Sequence, residues 1–243
     1  MPRHERLTIL HDDADIVAID KPAGLAAIPG RGEHESVLER LRQQLNHKLL
    51  VVHRLDKDTS GVMVFARHTQ AQRNLSHQFQ NNTIEKQYLA LVAGRPDAAE
   101  GDIDAPIGPH PTDPKRMAVV KHRGRPARTL WKIEQSFRRF TLLRIFPKTG
   151  KTHQIRVHLA HIGLPLAVDP LYNPGTVSLC LSQFKRGYRP KPNEPERPLI
   201  GRLTLHAEKL SLIHPKGQPL ELSAPLPKDF RATLNMLSKY SPA

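Results

Sequence analysis

The sequence predicts an α+β protein, a largely antiparallel mixed β-sheet with helices packed against it. Two observations carry this. Most strand candidates pair with their neighbours in sequence, and the amphipathic helical segments fall between them without the regular strand–helix alternation of a doubly wound fold. At 243 residues the chain can bury one good core, or two small lobes sharing a cleft, and one catalytic unit over residues 1–243 is expected.

Leu7–His11 and Asp15–Asp20 are short apolar runs separated by the turn-prone Asp12 and Asp13, which suggests an antiparallel hairpin. DKPAG ends the second strand, and a loop follows until Ser36 can cap a helix, VLERLRQQL, with Val37, Leu38, Leu41 and Leu45 on one face. Leu49–Val52 reads as the end of a buried strand and Gly61–Ala66 as the start of another. Between them lies an eight-residue connection from His53 to Ser60, crowded with ionisable and turn-forming residues and centred on Asp56. A second helix, capped by Thr69, runs to about Gln80, and Lys86–Ala93 reads as a strand. Arg128–Phe137 and Phe140–Phe146 form a strand pair turning at Arg138 and Arg139. Thr152 is expected to cap a helix, HQIRVHLAHIG, that stops at Gly163. From about 173 to 198 the chain is proline-rich and basic, with Lys185, Arg186, Arg189 and Lys191 around Phe184 and Tyr188, and reads as a surface insertion. Strands near Leu203–Ile213 and Leu220–Ser223 and a short helix near Phe230–Leu237 close the chain.

Lys and Arg number 37 against 23 Asp and Glu, a net charge of +14 with a pI near 10.2. A polyanionic partner is the first inference, and nucleic acid the first candidate, because phosphate neutralisation by Lys and Arg supplies most non-specific binding energy. The alternative is a generally basic surface that binds nothing. Cys180 is the sole cysteine, which excludes an internal disulfide and a multi-cysteine zinc site and favours a reducing compartment. The N-terminus lacks the apolar stretch of a secretory signal, and no segment approaches the roughly 20 apolar residues that span a bilayer. A cytoplasmic protein without membrane contact is expected.

Several signatures fail. TGKT at 149–152 would need a glycine where Ile145 stands to form a phosphate-binding loop. HRLDKD resembles a kinase catalytic loop, yet neither a glycine-rich nucleotide loop nor a DFG accompanies it. On the helix, His153 and His158 point roughly 140° apart at about 100° per residue, and only His158 and His161 share a face, without a carboxylate to complete a metal shell. No metal site and no cofactor site are expected. Asp56, with Arg54 and Lys57 beside it, reads either as a covalent nucleophile or as a salt-bridge residue, and composition does not choose.

HRLDKDTSG at 53–61 resembles the signature of the RluA family of RNA pseudouridine synthases. DKPAGL at 20–25, EKQYLALVAG at 85–94, GKTHQIRVHLAHIGLPLAVDPLY at 150–172 and LHAEKLSLIHP at 205–215 resemble the family's other motifs, in its order, and with their flanks cover about residues 7–227. The resemblance implies the pseudouridine synthase fold with a central active-site cleft, and isomerisation of uridine in RNA without cofactor or metal. It makes Asp56 the catalytic aspartate, attacking C6 of uracil or C1′ of the ribose. It makes Arg156 the partner that keeps Asp56 ionised, and Tyr88 the active-site tyrosine that stacks beneath the uracil or moves the C5 proton.

Arg54 is expected to fill the gap left by the turned-out nucleotide, and Lys21, His53, Thr59 and His206 to line the substrate and RNA pocket, with Lys185, Arg186 and Arg189 of the insertion adding RNA contacts. Ribosomal or transfer RNA is the expected partner, with no obligate protein partner. Two departures stand out: the first catalytic strand begins by Leu7, leaving no room for a preceding S4-type domain, and the basic insertion is longer than in compact members. Two rival readings are a basic RNA-binding or assembly protein that keeps the fold without the reaction, and a carboxylate-based hydrolase that releases the base.

Overall fold

The computed structural model describes residues 6–30, 35–190 and 194–243. Lys191 and Pro192 of the predicted insertion, and residues 31–34 of the loop after DKPAG, lie outside the described residues. In chain order the elements are β1 (Thr8–Asp12), β2 (Ile16–Lys21), α1 (Val37–Leu45), β3 (Leu50–Val51), β4 (Ser60–Ala66), α2 (Thr69–Gln80) and β5 (Glu85–Ala93). They continue as β6 (Glu100–Asp104), β7 (Ile107–Pro109), β8 (Met117–Val119), β9 (Arg128–Ser136), β10 (Phe140–Pro147), α3 (Gln154–His161), β11 (Leu205–Ile213), β12 (Pro219–Ser223) and α4 (Lys228–Tyr240). The fold is α+β, as the sequence predicts.

The chain divides into two compact units: residues up to Gln87 with His206–Pro225, and Tyr88–Leu205 with the residues from Leu226 on. In the first, the strand order is β1-β2-β4-β11, with β12 on β11 and β3 on the far end of β4. The β1–β2 hairpin is antiparallel, and β2 runs antiparallel to β4 from Ile16↔Ala66 to Lys21↔Gly61. One pairing is parallel, β11 beside β4, with His206 opposite Ser60 and Ala207 opposite Gly61. Every residue of β4 is buried, so it is the central strand of this unit and reads as a continuous apolar run. Its core gathers Ile16, Ala18, Val62, Val64 and Ala66 with Leu75 of α2 and Leu210 and Leu212 of β11. Ser36 caps α1 as predicted, its Oγ accepting the Glu39 amide at 3.2 Å, and Asn46 ends the helix in the left-handed region. The cap of α2 is His68, whose Nδ1 accepts the Ala71 amide, one residue before the predicted Thr69.

In the second unit the order is β5-β10-β9-β6, antiparallel from β5 to β10, β10 to β9 and β9 to β6. β7 and β8 form a separate antiparallel pair. α3 packs Ile155 and Leu159 onto Ala90, Val92, Leu143 and Ile145. Its N-cap is His153 in the left-handed region, φ 55°, and not Thr152. The segment after α3 runs beside β5, where the Ala93 amide donates to Pro165 O and the Ala167 amide to Leu91 O. The predicted insertion carries one short 3-10 turn, Leu181–Gln183, and is pinned near its ends by a bridge between the buried Leu179 and Ile200.

Candidate active site

The connection around Asp56 is a tight turn. Thr59 donates its amide to Asp56 O at 3.1 Å, making residues 56–59 a β-turn with aspartate in its favoured first position. Lys57 and Asp58 at the tip are exposed, Asp56 is half-buried, and Leu55, Thr59 and Ser60 are buried. The loop's own carbonyls hold it. Lys21 Nζ donates to Lys57 O at 2.7 Å, Thr59 O at 2.8 Å and Pro22 O at 2.9 Å, and the Gly24 amide also donates to Lys57 O. Thus DKPAG and HRLDKDTSG, far apart in sequence, are one structure in space. Lys21, expected to line the substrate and RNA pocket, is 0% exposed, and its ammonium is turned onto backbone oxygens that offset its lost hydration.

LHA at 205–207 braces the same loop from the other side. His206 is fully buried, its Nδ1 3.0 Å from Ser60 Oγ and its Nε2 3.2 Å from Ala224 O. Gly61 has φ 116°, and a Cβ there would stand 2.1 Å from Ala207 O, so only glycine admits this close approach of β4 and β11. Thr59, 2% exposed, and His206, 0% exposed, are two further residues of the expected pocket lining that the structure buries. His53 stacks on Phe79 with ring centroids 4.4 Å apart, and its Nε2 accepts the Val64 amide at 3.0 Å. Burial, aided by the nearby Lys86 charge, pushes its pKa down to about 3, so this ring is neutral. Arg54, two residues before Asp56, is exposed.

In the second unit Tyr88 lies on β5 opposite Ile145, half-buried against the cluster that contains Ile155 and Leu159 of α3. Arg156 is 6% exposed and Asp169 0%. Arg156 donates through Nε and Nη2 to the two carboxylate oxygens of Asp169, both at 2.8 Å, a bidentate fork. Asp169 also accepts the Leu171 and Tyr172 amides. The Arg156 guanidinium lies 5.0 Å from the centre of the Tyr172 ring. Tyr172 is fixed in turn, its hydroxyl accepting the Met117 amide at 2.8 Å and sitting 3.0 Å from His153 Nδ1. Sequence reasoning took GKTHQIRVHLAHIGLPLAVDPLY as one motif and missed that Asp169 and Tyr172 orient Arg156; an acid within an apolar run, LPLAVD, was the available signal.

The start of α3 is set by Gln154, whose amide nitrogen donates to Arg128 O and Thr129 Oγ1 while its oxygen accepts from Thr149 Oγ1 and the Lys151 amide. His158 has both ring nitrogens engaged, at 2.9 Å from Thr129 Oγ1 and 2.9 Å from Ala105 O, and burial lowers its pKa. In the basic segment, Lys185 Nζ packs over the rings of Tyr188 and Tyr240 at 5.5 and 4.6 Å, while Arg186 and Arg189 are exposed.

Among the described residues, His11, Asp13 and His214 form the group with cation-ligand spacing, Asp13 Oδ2 lying 3.0 Å from His11 Nε2 and 2.9 Å from His214 Nε2. His214 Nδ1 accepts the Lys216 amide, which leaves the ring proton on Nε2, the atom a metal would need. The trio fits a hydrogen-bonding and ionic cluster better than a metal shell.

The site thus consists of a mixed α+β fold that carries Asp56 on a β-turn clamped by Lys21. The family model described as RNA pseudouridylate synthase matches residues 15–161, and the chain belongs to that family. It is 43% identical over 241 aligned residues to "Ribosomal large subunit pseudouridine synthase D" of Nitrosomonas europaea, covering 95% of this chain and 65% of that protein. It is 39% identical to the protein of the same name from Xanthomonas campestris, covering 99% of this chain and 72% of the relative. The chain thus spans about two thirds of the length of these relatives. Among solved structures, "Human RNA Pseudouridylate Synthase Domain Containing 4" matches with a TM-score of 0.71 and 26% identity over 95% of this chain and 93% of that one.

Proposed function

We propose that the chain isomerises uridine to pseudouridine in RNA, with both units working as one catalytic domain and Asp56 as the acid that engages the nucleoside. The observation that carries this is the Asp56 turn, fixed by Lys21 through two of its carbonyls, Lys57 O and Thr59 O, so that the carboxylate is presented by preorganised backbone. The relatives' names make large-subunit ribosomal RNA the first substrate to test, and transfer RNA the second. Net charge of +14 supports a polyanionic substrate, and the cytoplasm is the compartment this reading requires.

In the reaction the Asp56 carboxylate adds to C1′ as the N1–C1′ bond breaks, or adds to C6 of the base. In either route the N1–C1′ bond is broken before the uracil turns. C5 then bonds to C1′, the bond to Asp56 breaks and frees the carboxylate, the C5 proton leaves to a base, and N1 ends protonated. Substrate and product are isomers, so nothing else is consumed. Tyr88 serves as the ring beneath the uracil or in the C5 proton transfer, and Arg156 as the donor that orients the acid. Arg54, exposed two residues away, is suited to occupy the place of the turned-out nucleotide.

The test is tritium release from 5-tritiated uridine in ribosomal RNA transcripts, followed by nucleoside analysis of the product. Tritium release with pseudouridine in the digest supports the isomerase. Free uracil in its place would establish a hydrolase, and neither product from transcripts that bind tightly would establish a binding protein.

A further inference from the structure

The Tyr172 ring supports a second guanidinium. Arg116, just before β8, lies 5.3 Å from its centre, and the next residue, Met117, gives its amide to the Tyr172 hydroxyl. Backbone and ring are therefore locked together. Several other arginines of the described structure spend their forks on carboxylates, among them Arg67 on Asp12, Arg128 on Asp102, Arg144 on Glu134, Arg156 on Asp169 and Arg202 on Asp229. Arg116 has no such partner among the described residues, and its Nε is sealed from solvent without an acceptor. The nearest acid in sequence, Asp113, accepts the Lys115 amide through Oδ1.

A desolvated N–H without an acceptor is costly, and such a group persists where a ligand brings the acceptor. An anion suits it, because guanidinium only donates, and its planar fork matches the paired oxygens of a phosphodiester. The surroundings agree: from His110 to Ala127 the chain carries Lys115, Arg116, Lys121, Arg123 and Arg125 against Asp113 alone.

We propose that Arg116 is a phosphodiester-binding residue, which takes a backbone phosphate of the RNA strand whose target nucleotide is served by Arg156 on the same tyrosine ring. The proposal rests on the RNA isomerase reading above.

The experiment measures affinity of the full chain for a large-subunit ribosomal RNA transcript across a salt series, for wild type, Arg116→Gln and Arg116→Lys. Glutamine is expected to weaken binding about tenfold near 0.1 M salt and to reduce the slope of log K against log salt by about 0.7–0.9, the share of one phosphate, with the turnover rate at saturating RNA changed less than about threefold. Lysine is expected to keep the slope and lose several-fold in affinity, because the charge stays and the fork is lost. Wild-type slope and affinity in the glutamine variant would overturn the assignment. Should that variant fail to unfold cooperatively, the lysine variant decides alone, and unchanged affinity there overturns it. A wild-type protein that neither binds nor isomerises any transcript would instead overturn the functional reading.

Discussion

Between Leu55 and Ser60 the chain is fixed through its own carbonyls by Lys21, a residue of a different motif, whereas Arg156 is fixed through its side chain by Asp169, 13 residues on. The first arrangement moulds a backbone through its carbonyls. The second holds a guanidinium by one edge of its fork and one ring. The contrast teaches where each region is vulnerable: the loop in residues that never reach its surface, the helix in the carboxylate that balances a buried charge.

The largest effect is expected on the Arg156 side. Asp169→Asn removes the charged half of a buried bidentate pair and should cost about 3–5 kcal/mol in urea unfolding, with loss of tritium release even where the protein stays folded. Wild-type stability in this variant would break the contrast, since it would mean that the Asp169 carboxylate is not what holds Arg156. Lys21→Met comes next, at about 2–3 kcal/mol, because three carbonyls lose their charged donor together. Its signature is local: trypsin should cut faster at Arg54 and Lys57, both exposed beside the released turn. A cleavage rate unchanged from wild type would mean that the Gly24 amide and His206 suffice to hold the loop.

The smallest effect concerns His53. Its folded pKa of about 3 lies below the ordinary 6.5, so the unfolded chain takes up the proton first. The stability that neutral His53 contributes is complete above about pH 6.5 and is lost as pH falls toward 3. Between pH 7 and pH 5 this amounts to ~1–2 kcal/mol. His53→Gln should flatten that fall, only in part, because His158 shifts in the same direction. An equally steep fall in the variant would contradict the buried, neutral ring.

Much of this was legible in the residues. Strict apolar runs separated by two or three turn residues gave the β1–β2 and β9–β10 pairs, and Ser36 followed by VLERLRQQL gave α1 with its cap. Asp56 and its flanking strands were read from composition before any resemblance entered, although composition left its role open. β6 to β8 were not legible, because EGDID and IGP are short and rich in the residues that usually mark turns. The parallel pairing of β4 with β11 joins residues 146 apart, Ser60 and His206, and no local pattern encodes so distant a neighbour.

Lys21, Thr59 and His206 read as pocket-lining residues, and their burial was not legible. A polar side chain in a motif reads as a surface contact until the backbone groups that satisfy it are visible. In the 173–198 segment, prolines and charges hid Leu179, the buried residue that bridges to Ile200.

The measurement that tests the central claim most directly is single-turnover tritium release by wild type and Asp56→Ala from the same 5-tritiated ribosomal RNA transcript, with RNA binding measured alongside. Release by the wild type that disappears in Asp56→Ala, while affinity stays within a few-fold, is the predicted result. Release at the wild-type rate by Asp56→Ala would contradict the account, because the turn that Lys21 clamps would then present no reacting group.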